Sequence, residues 1–156
     1  MARLRADGRA VTLTLAGDGE ESATLKAQVQ RLGLGEAVRF IGHVKARYGF
    51  SKGALLVVPS RGDSMPYVAI EAAAAGIPMV AANVGGIPEI FGSHADALFA
   101  PNIVNAMADA IEIALEDPAA ALVRAKSLRG RIFLHFSQRA MVEGVLAGYH
   151  NAFADR

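Results

Sequence analysis

Two carboxylates, Asp63 and Glu71, stand eight residues apart with Pro66 between them. Proline suits the first turn of a helix, where its missing N–H costs nothing, so the spacing predicts a helix over 66–75. By helical period Glu71 shares a face with Tyr67 and Val68, and that face begins at the loop carrying Asp63. Carboxylates accept hydrogen bonds from sugar and ribose hydroxyls, and free backbone N–H groups at a helix start suit a phosphate. One short segment could therefore hold both ends of a sugar nucleotide. The plainer alternative makes Asp63 a helix cap and Glu71 an exposed face charge.

Around this pair the chain alternates short β-branched runs with helical stretches, the pattern of a parallel sheet with helices on both faces. Strands are expected at Val11–Ala16, Val38–Ile41, Leu55–Pro59, Ile77–Ala82 and, at one edge, Ala97–Ala100. Leu55–Pro59 is apolar throughout, as a buried parallel strand is. Helices are expected near Ser22–Leu32, over Lys45–Lys52, from Pro66 to Ala75 with Gly76 as its stop, and after Gly85-Gly86. Two more close the chain, Val104–Leu115 and Ala119–Phe153, the latter broken near His135–Ser137. The fold class is α/β: a Rossmann-like, doubly wound parallel sheet in three α/β/α layers. In such sheets ligands bind beyond the carboxyl ends of the strands. Four loops qualify: Gly17–Gly19, Gly42–Val44, Ser60–Met65 and Asn83–Pro88.

Composition narrows the function. A chain of 156 residues suits one domain, and with 53% apolar and 20% charged residues it can bury a core. A formal net charge of +1 lacks the basic excess that phosphate-backbone binding uses, which argues against nucleic acid. The absence of cysteine excludes disulfides and thiolate metal sites and suits a reducing cytoplasm. His43, His94, His135 and His150 have no neighbours at metal-ligand spacing, so no metal or other cofactor is expected. Met1–Gly8 has no apolar stretch of the signal-peptide kind. The richest apolar run, Val68–Val84, is broken by Glu71, Gly76 and Pro78, and none reaches membrane-spanning length. Arg124, Lys126, Arg129 and Arg131 read as a solvated helix face, with a weak attraction to anionic lipid as the alternative.

The run Val57-Val58-Pro59-Ser60-Arg61-Gly62-Asp63-Ser64-Met65-Pro66, with Ile70-Glu71-Ala72 and Ala75-Gly76-Ile77-Pro78-Met79-Val80-Ala81 after it, resembles the E-x7-E region of family-4 retaining glycosyltransferases of GT-B fold. Gly85-Gly86-Ile87-Pro88-Glu89-Ile90, Leu15-Ala16-Gly17-Asp18-Gly19 and Phe40-Ile41-Gly42-His43-Val44 match in order and spacing, so the resemblance runs from Arg9 to Tyr149. It implies a bacterial enzyme of polysaccharide biosynthesis that moves a hexose from a UDP- or GDP-sugar to a glycan or lipid-linked acceptor. Transfer would retain configuration without a metal. The resemblance makes Asp63 and Glu71 the catalytic pair. Glu71 would hold the ribose hydroxyls, and Asp63, where the family has glutamate, would face the transferred sugar on an arm one methylene shorter. Amides of Ser64, Met65, Tyr67 and Val68, around Pro66, would hold the sugar and distal phosphate. Gly42, His43 and Val44 would lie against the base. Gly85 and Gly86 would serve a turn or a close approach to the donor, and Gly17 and Gly19 a tight turn.

In the family this domain opens with a strand and a loop that carry an arginine and a lysine for the donor diphosphate. Here Met1-Ala2-Arg3-Leu4 resembles the tail of the helix after that loop. Residues 1–156 thus read as a single donor-binding domain, the C-terminal half of a GT-B enzyme, without its first strand and its acceptor domain. The isolated chain is expected to be inactive, and the whole enzyme to work in the cytoplasm, at the inner face of the membrane as a peripheral protein. Where the first strand is missing, Val11–Ala16 and Leu55–Pro59 are expected to close up and pair, giving one five-stranded sheet. The rival readings are a nucleotide-binding remnant or stand-alone module without activity and, disfavoured by the Ser60–Ala81 stretch, a sugar-nucleotide epimerase.

Overall fold

The computed structural model describes residues 1–154. A short helix, α1 (Ala2–Ala6), leads to β1 (Leu13–Leu15), α2 (Ser22–Arg31), β2 (Val38–Phe40) and α3 (Ala46–Phe50). Then come β3 (Leu56–Val58), α4 (Tyr67–Ala75), β4 (Met79–Ala81) and α5 (Ile87–Phe91), which runs on into a 3-10 segment, Gly92–Ala97. Three longer helices end the chain: α6 (Val104–Glu116), α7 (Pro118–His135) and α8 (Gln138–Ala154).

Local chemistry sets the boundaries. Gly76 closes α4 in the left-handed region at φ 71°, where a side chain would be strained, and the Ile77 amide reaches back to the Ala72 carbonyl. Asp117 caps α7 by accepting from the Ala120 amide at 2.8 Å, with Pro118 in the first turn. Ser137 Oγ accepts from the Ala140 amide at 3.2 Å and separates α7 from α8 at the expected break.

Burial follows from strand alternation. All three residues of β4 are buried. Met79 and Ala81 join a cluster with Ala69, Ala72 and Ala73 of α4, Ile87, Ile90 and Phe91 of α5, and Leu128 and Ile132 of α7. Val80 and Ala82 face the other way, into Phe99, Ala114 and Ala121. Helices therefore cover both faces of the strand, the three-layer arrangement of a parallel α/β fold. Ala69, Ala72 and Ala73 of α4 are fully buried and let that helix lie close against α7 and β4.

The sheet departs from expectation. β1 pairs with β2 in parallel, Leu13 opposite Val38 and Leu15 opposite Phe40. β3 pairs with β4 in parallel, Leu56 opposite Met79 and Val58 opposite Ala81. These are two separate two-stranded sheets, so β1 and β3 do not close up. Ala97–Ala100 forms no strand and contributes one parallel bridge, Ala82 to Phe99. Helices rather than strands join the two halves: α3 packs on α4 and α1 on α6. The exposed seam shows in burial: Leu55, Leu56 and Val57 are only half-buried, against the fully buried strand expected there.

Arg3 and Arg9 fasten the first sheet to the rest. Arg3 donates to the Asn105 carbonyl at 3.1 Å and pairs with Asp109, and Arg9 pairs with Glu112 and Glu116. The hydrogen bond to Asp109 raises the Arg3 guanidinium above its ordinary pKa, and that to Glu116 does the same for Arg9. Leu4, between them in sequence, is buried. At the other end, Met141, Val142, Val145, Leu146, Tyr149 and Phe153 of α8 are all exposed.

Leu128→Ala should cost about 2–5 kcal/mol, since it empties a fully buried position between α7 and α4. Tyr67→Ala, at a residue 81% exposed, should leave stability within about 0.5 kcal/mol. Urea denaturation of both variants checks this, and equal losses would contradict the packing described.

Candidate functional site

After β3 the chain passes through 59–66 into α4. Pro66 is buried, with φ −72° and ψ 113°, and stands as the N-cap of α4 rather than within its first turn. It has no side-chain acceptor, and no side chain caps the helix. The first helical bonds come from the Ala69 and Ile70 amides to the Pro66 carbonyl, at 3.0 and 3.3 Å. The amides of Tyr67 and Val68 precede them and have no partner within the helix. A nine-residue helix thus presents uncapped donors and the positive end of its dipole to solvent.

Side chains around this helix start divide cleanly. Ala69, Ala72 and Ala73 are turned into the core, while Tyr67, Val68 and Glu71 are exposed on the opposite side. Asp63 and Ser64 are exposed and Met65 half-buried. Among the described residues neither Asp63 nor Glu71 is in an ion pair. Asp63 does not cap α4, so the first structural alternative fails. Glu71 is exposed and not confined by the alanine run.

Gly85 and Gly86, in the loop from β4 to α5, lie backbone-to-backbone against this segment. A Cβ on Gly85 would stand 1.7 Å from the Asp63 carbonyl oxygen, and one on Gly86 2.3 Å from that of Ser64. Both glycines thus belong to a close approach, but to the neighbouring loop. Gly42 and Val44 lie elsewhere, at the carboxyl end of β2. The Gly17 amide donates to the Gly42 carbonyl at 2.7 Å, tying the loops after β1 and β2 together, and His43 beside them is exposed. The structure therefore assembles the predicted residues as two groups: 63–71 with 85–86 on the second sheet, and 42–44 on the first.

Neither of two surface hollows touches the acid pair. One of about 400 Å3 lies against Gln138, Arg139, Val142 and Glu143 of α8. Another of about 180 Å3 lies beyond β1, lined by Leu15, Gly17, Ser22 and Phe40 among others. The acid pair lies on an open face.

The basic row on α7 is less uniform than its sequence suggests. Arg131 is half-buried and donates from Nε to the Glu89 carbonyl at 3.0 Å, so it holds α5 in place. His94 is hydrogen-bonded to Ser127 Oγ at 2.9 Å. Arg3 and Arg9 have no role that sequence reasoning assigns. Their signal is the acidic row Asp109, Glu112 and Glu116, which shares one face of α6. No described helix is long and apolar enough to cross a membrane.

The profile of the family described as "Glycosyl transferases group 1" matches residues 1–117. The chain belongs to that family. It is 33% identical over 151 residues to the glycogen synthase of Mycobacterium tuberculosis, a match that covers 94% of this chain and 36% of that protein. Sucrose-phosphate synthase from Thermosynechococcus elongatus superposes with a TM-score of 0.75 at 32% identity, over 92% of this chain and 39% of that one. Anabaena HepE, solved in complex with UDP-glucose, superposes with a TM-score of 0.81 at 23% identity, over 96% and 44%. The chain thus spans less than half the length of these relatives.

Because Asp63 and Glu71 are exposed and unpaired, Asp63→Ala and Glu71→Ala should each shift unfolding free energy by no more than about 0.5 kcal/mol. A urea midpoint that falls steeply in either variant would show that the acid supports the fold.

Proposed function

We propose that this chain is the donor-binding domain of a retaining hexosyltransferase that uses a UDP- or GDP-sugar and passes the hexose to a glycan or lipid-linked acceptor. The observation that carries this reading is the uncapped start of α4, flanked by two exposed, unpaired carboxylates at the carboxyl end of a parallel strand. The amides of Ser64, Met65, Tyr67 and Val68 take the sugar and its adjoining phosphate. Glu71, one turn into the helix, accepts from the ribose hydroxyls. Asp63, ahead of the helix, accepts from hydroxyls of the sugar. Gly42, His43 and Val44 border the base from the first sheet.

These groups serve the reaction through charge. As the bond between the anomeric carbon and the diphosphate oxygen breaks, negative charge collects on the leaving phosphate. Oriented N–H groups at a helix terminus stabilise such charge without reorganising during the step. The acceptor hydroxyl oxygen then bonds to the same carbon, and its proton passes to the departing phosphate oxygen. Bound UDP-glucose in HepE supports the assignment of donor class. The acceptor is supplied by a second domain outside this chain, which also closes the cleft against water.

Glu71→Ala should weaken UDP or GDP binding more than Asp63→Ala, because a nucleoside diphosphate retains the ribose and lacks the sugar. Loss of one hydrogen bond to a charged group costs about 1.5–3 kcal/mol, or roughly 10- to 100-fold in Kd. Calorimetry with both nucleotides tests the ranking, and an equal or reversed order would refute the ribose assignment.

The purified chain, offered a UDP- or GDP-sugar, should transfer nothing to an acceptor and at most hydrolyse the donor slowly. Product analysis with labelled donor checks this, and robust transfer would show that no second domain is needed.

A further inference from the structure

We infer that Gly85 and Gly86 are positioning residues that form a backbone shelf under the 63–66 loop and so set where the amides at the start of α4 point. This rests on the donor reading above and gives the two glycines a role apart from donor contact. A Cβ on Gly85 would sit 1.7 Å from the Asp63 carbonyl oxygen and 2.7 Å from its carbon. A Cβ on Gly86 would sit 2.3 Å from the Ser64 oxygen and 2.8 Å from Met65 Cε. The nearest atoms are backbone in both cases. Gly17, Gly42 and Gly62, by contrast, have open space where a Cβ would go. At Gly92 the obstruction is the side chain of Arg131 and not backbone. The approach at Gly85 and Gly86 is therefore a contact between two backbones.

Burial decides which side yields to an added methyl. Gly86 is the N-cap of α5, and the Glu89 and Ile90 amides bond its carbonyl at 3.1 and 3.2 Å. Ile87, Ile90 and Phe91 behind it are all at most 1% exposed. The shelf is fixed to the core. Asp63 and Ser64 opposite are exposed and can move outward. Relieving a 2.3 Å contact to ordinary separation moves the Ser64 carbonyl by about 1 Å, and displacement on that scale in a binding constellation can cost on the order of 100-fold.

The test uses Gly85→Ala and Gly86→Ala, with Gly62→Ala as the control in the same loop. In the ligand-free chain, amide resonances of Asp63, Ser64, Met65, Tyr67 and Val68 should shift in both glycine-shelf variants, while those of Ile90 and Phe91 stay in place. UDP or GDP affinity should fall about 10-fold or more, and Gly62→Ala should do neither. If Gly85→Ala does not fold, because its φ of 50° strains a side chain as well, Gly86→Ala carries the test alone. Unmoved resonances for 63–68 in a folded shelf variant would overturn the positioning role. Shifted resonances with unchanged nucleotide affinity would uphold the shelf and overturn the donor reading. If the unaltered chain binds neither nucleotide, the donor reading fails and the resonances still decide the shelf.

Discussion

Everything at the candidate site depends on the double-sided burial of β4. Met79 and Ala81 on one face and Val80 and Ala82 on the other anchor two apolar clusters, and the surrounding helices are placed by what they cover. α4 lies against that core through three alanines that are fully buried, so its opposite face must point outward. That opposite face carries Tyr67, Val68 and Glu71. Site geometry here is the remainder of a packing problem: once small residues settle which side of α4 is inside, the placement of the acid is settled too.

The acid segment is legible in the sequence because each of its signals is local. Pro66 marks a helix start, Gly76 marks a stop through a backbone conformation that disfavours side chains, and the three-to-four-residue period puts Glu71 with Tyr67 and Val68. The break between α7 and α8 is equally visible, since Ser137 can cap the helix after it. Features that rest on distant partners are out of reach. The role of Gly85 and Gly86 depends on Asp63 and Ser64, some twenty residues away, and nothing in a Gly-Gly pair names the backbone it will meet. Arg131 looks like its basic neighbours on α7, and only its bond to Glu89 sets it apart.

The sheet is a different case, because the strand signals themselves are right. β1 and β3 both form where expected, and both lie in parallel pairs. What fails is the inference that exposed edges must find each other. Edge pairing gains hydrogen bonds, but helix packing joins elements without it, as the contacts of α3 with α4 and α1 with α6 do here. The ion pairs of Arg3 and Arg9 with α6 then hold the first sheet without any ladder between the two.

An interrupted ladder also divides the molecule's cooperativity. Backbone hydrogen bonds running across a continuous sheet transmit local opening from strand to strand; across the seam between β1 and β3 only side chains and helices can do so. The two sheets are units without a shared ladder, and proteins commonly draw their binding motions from low-cost divisions. The residues proposed for the base stand on one unit and those for ribose and phosphate on the other. A nucleotide spanning both would act as a rivet across the seam. Its binding energy would appear partly as resistance to the units parting, with the longest-lived amide protection arising in the occupied state.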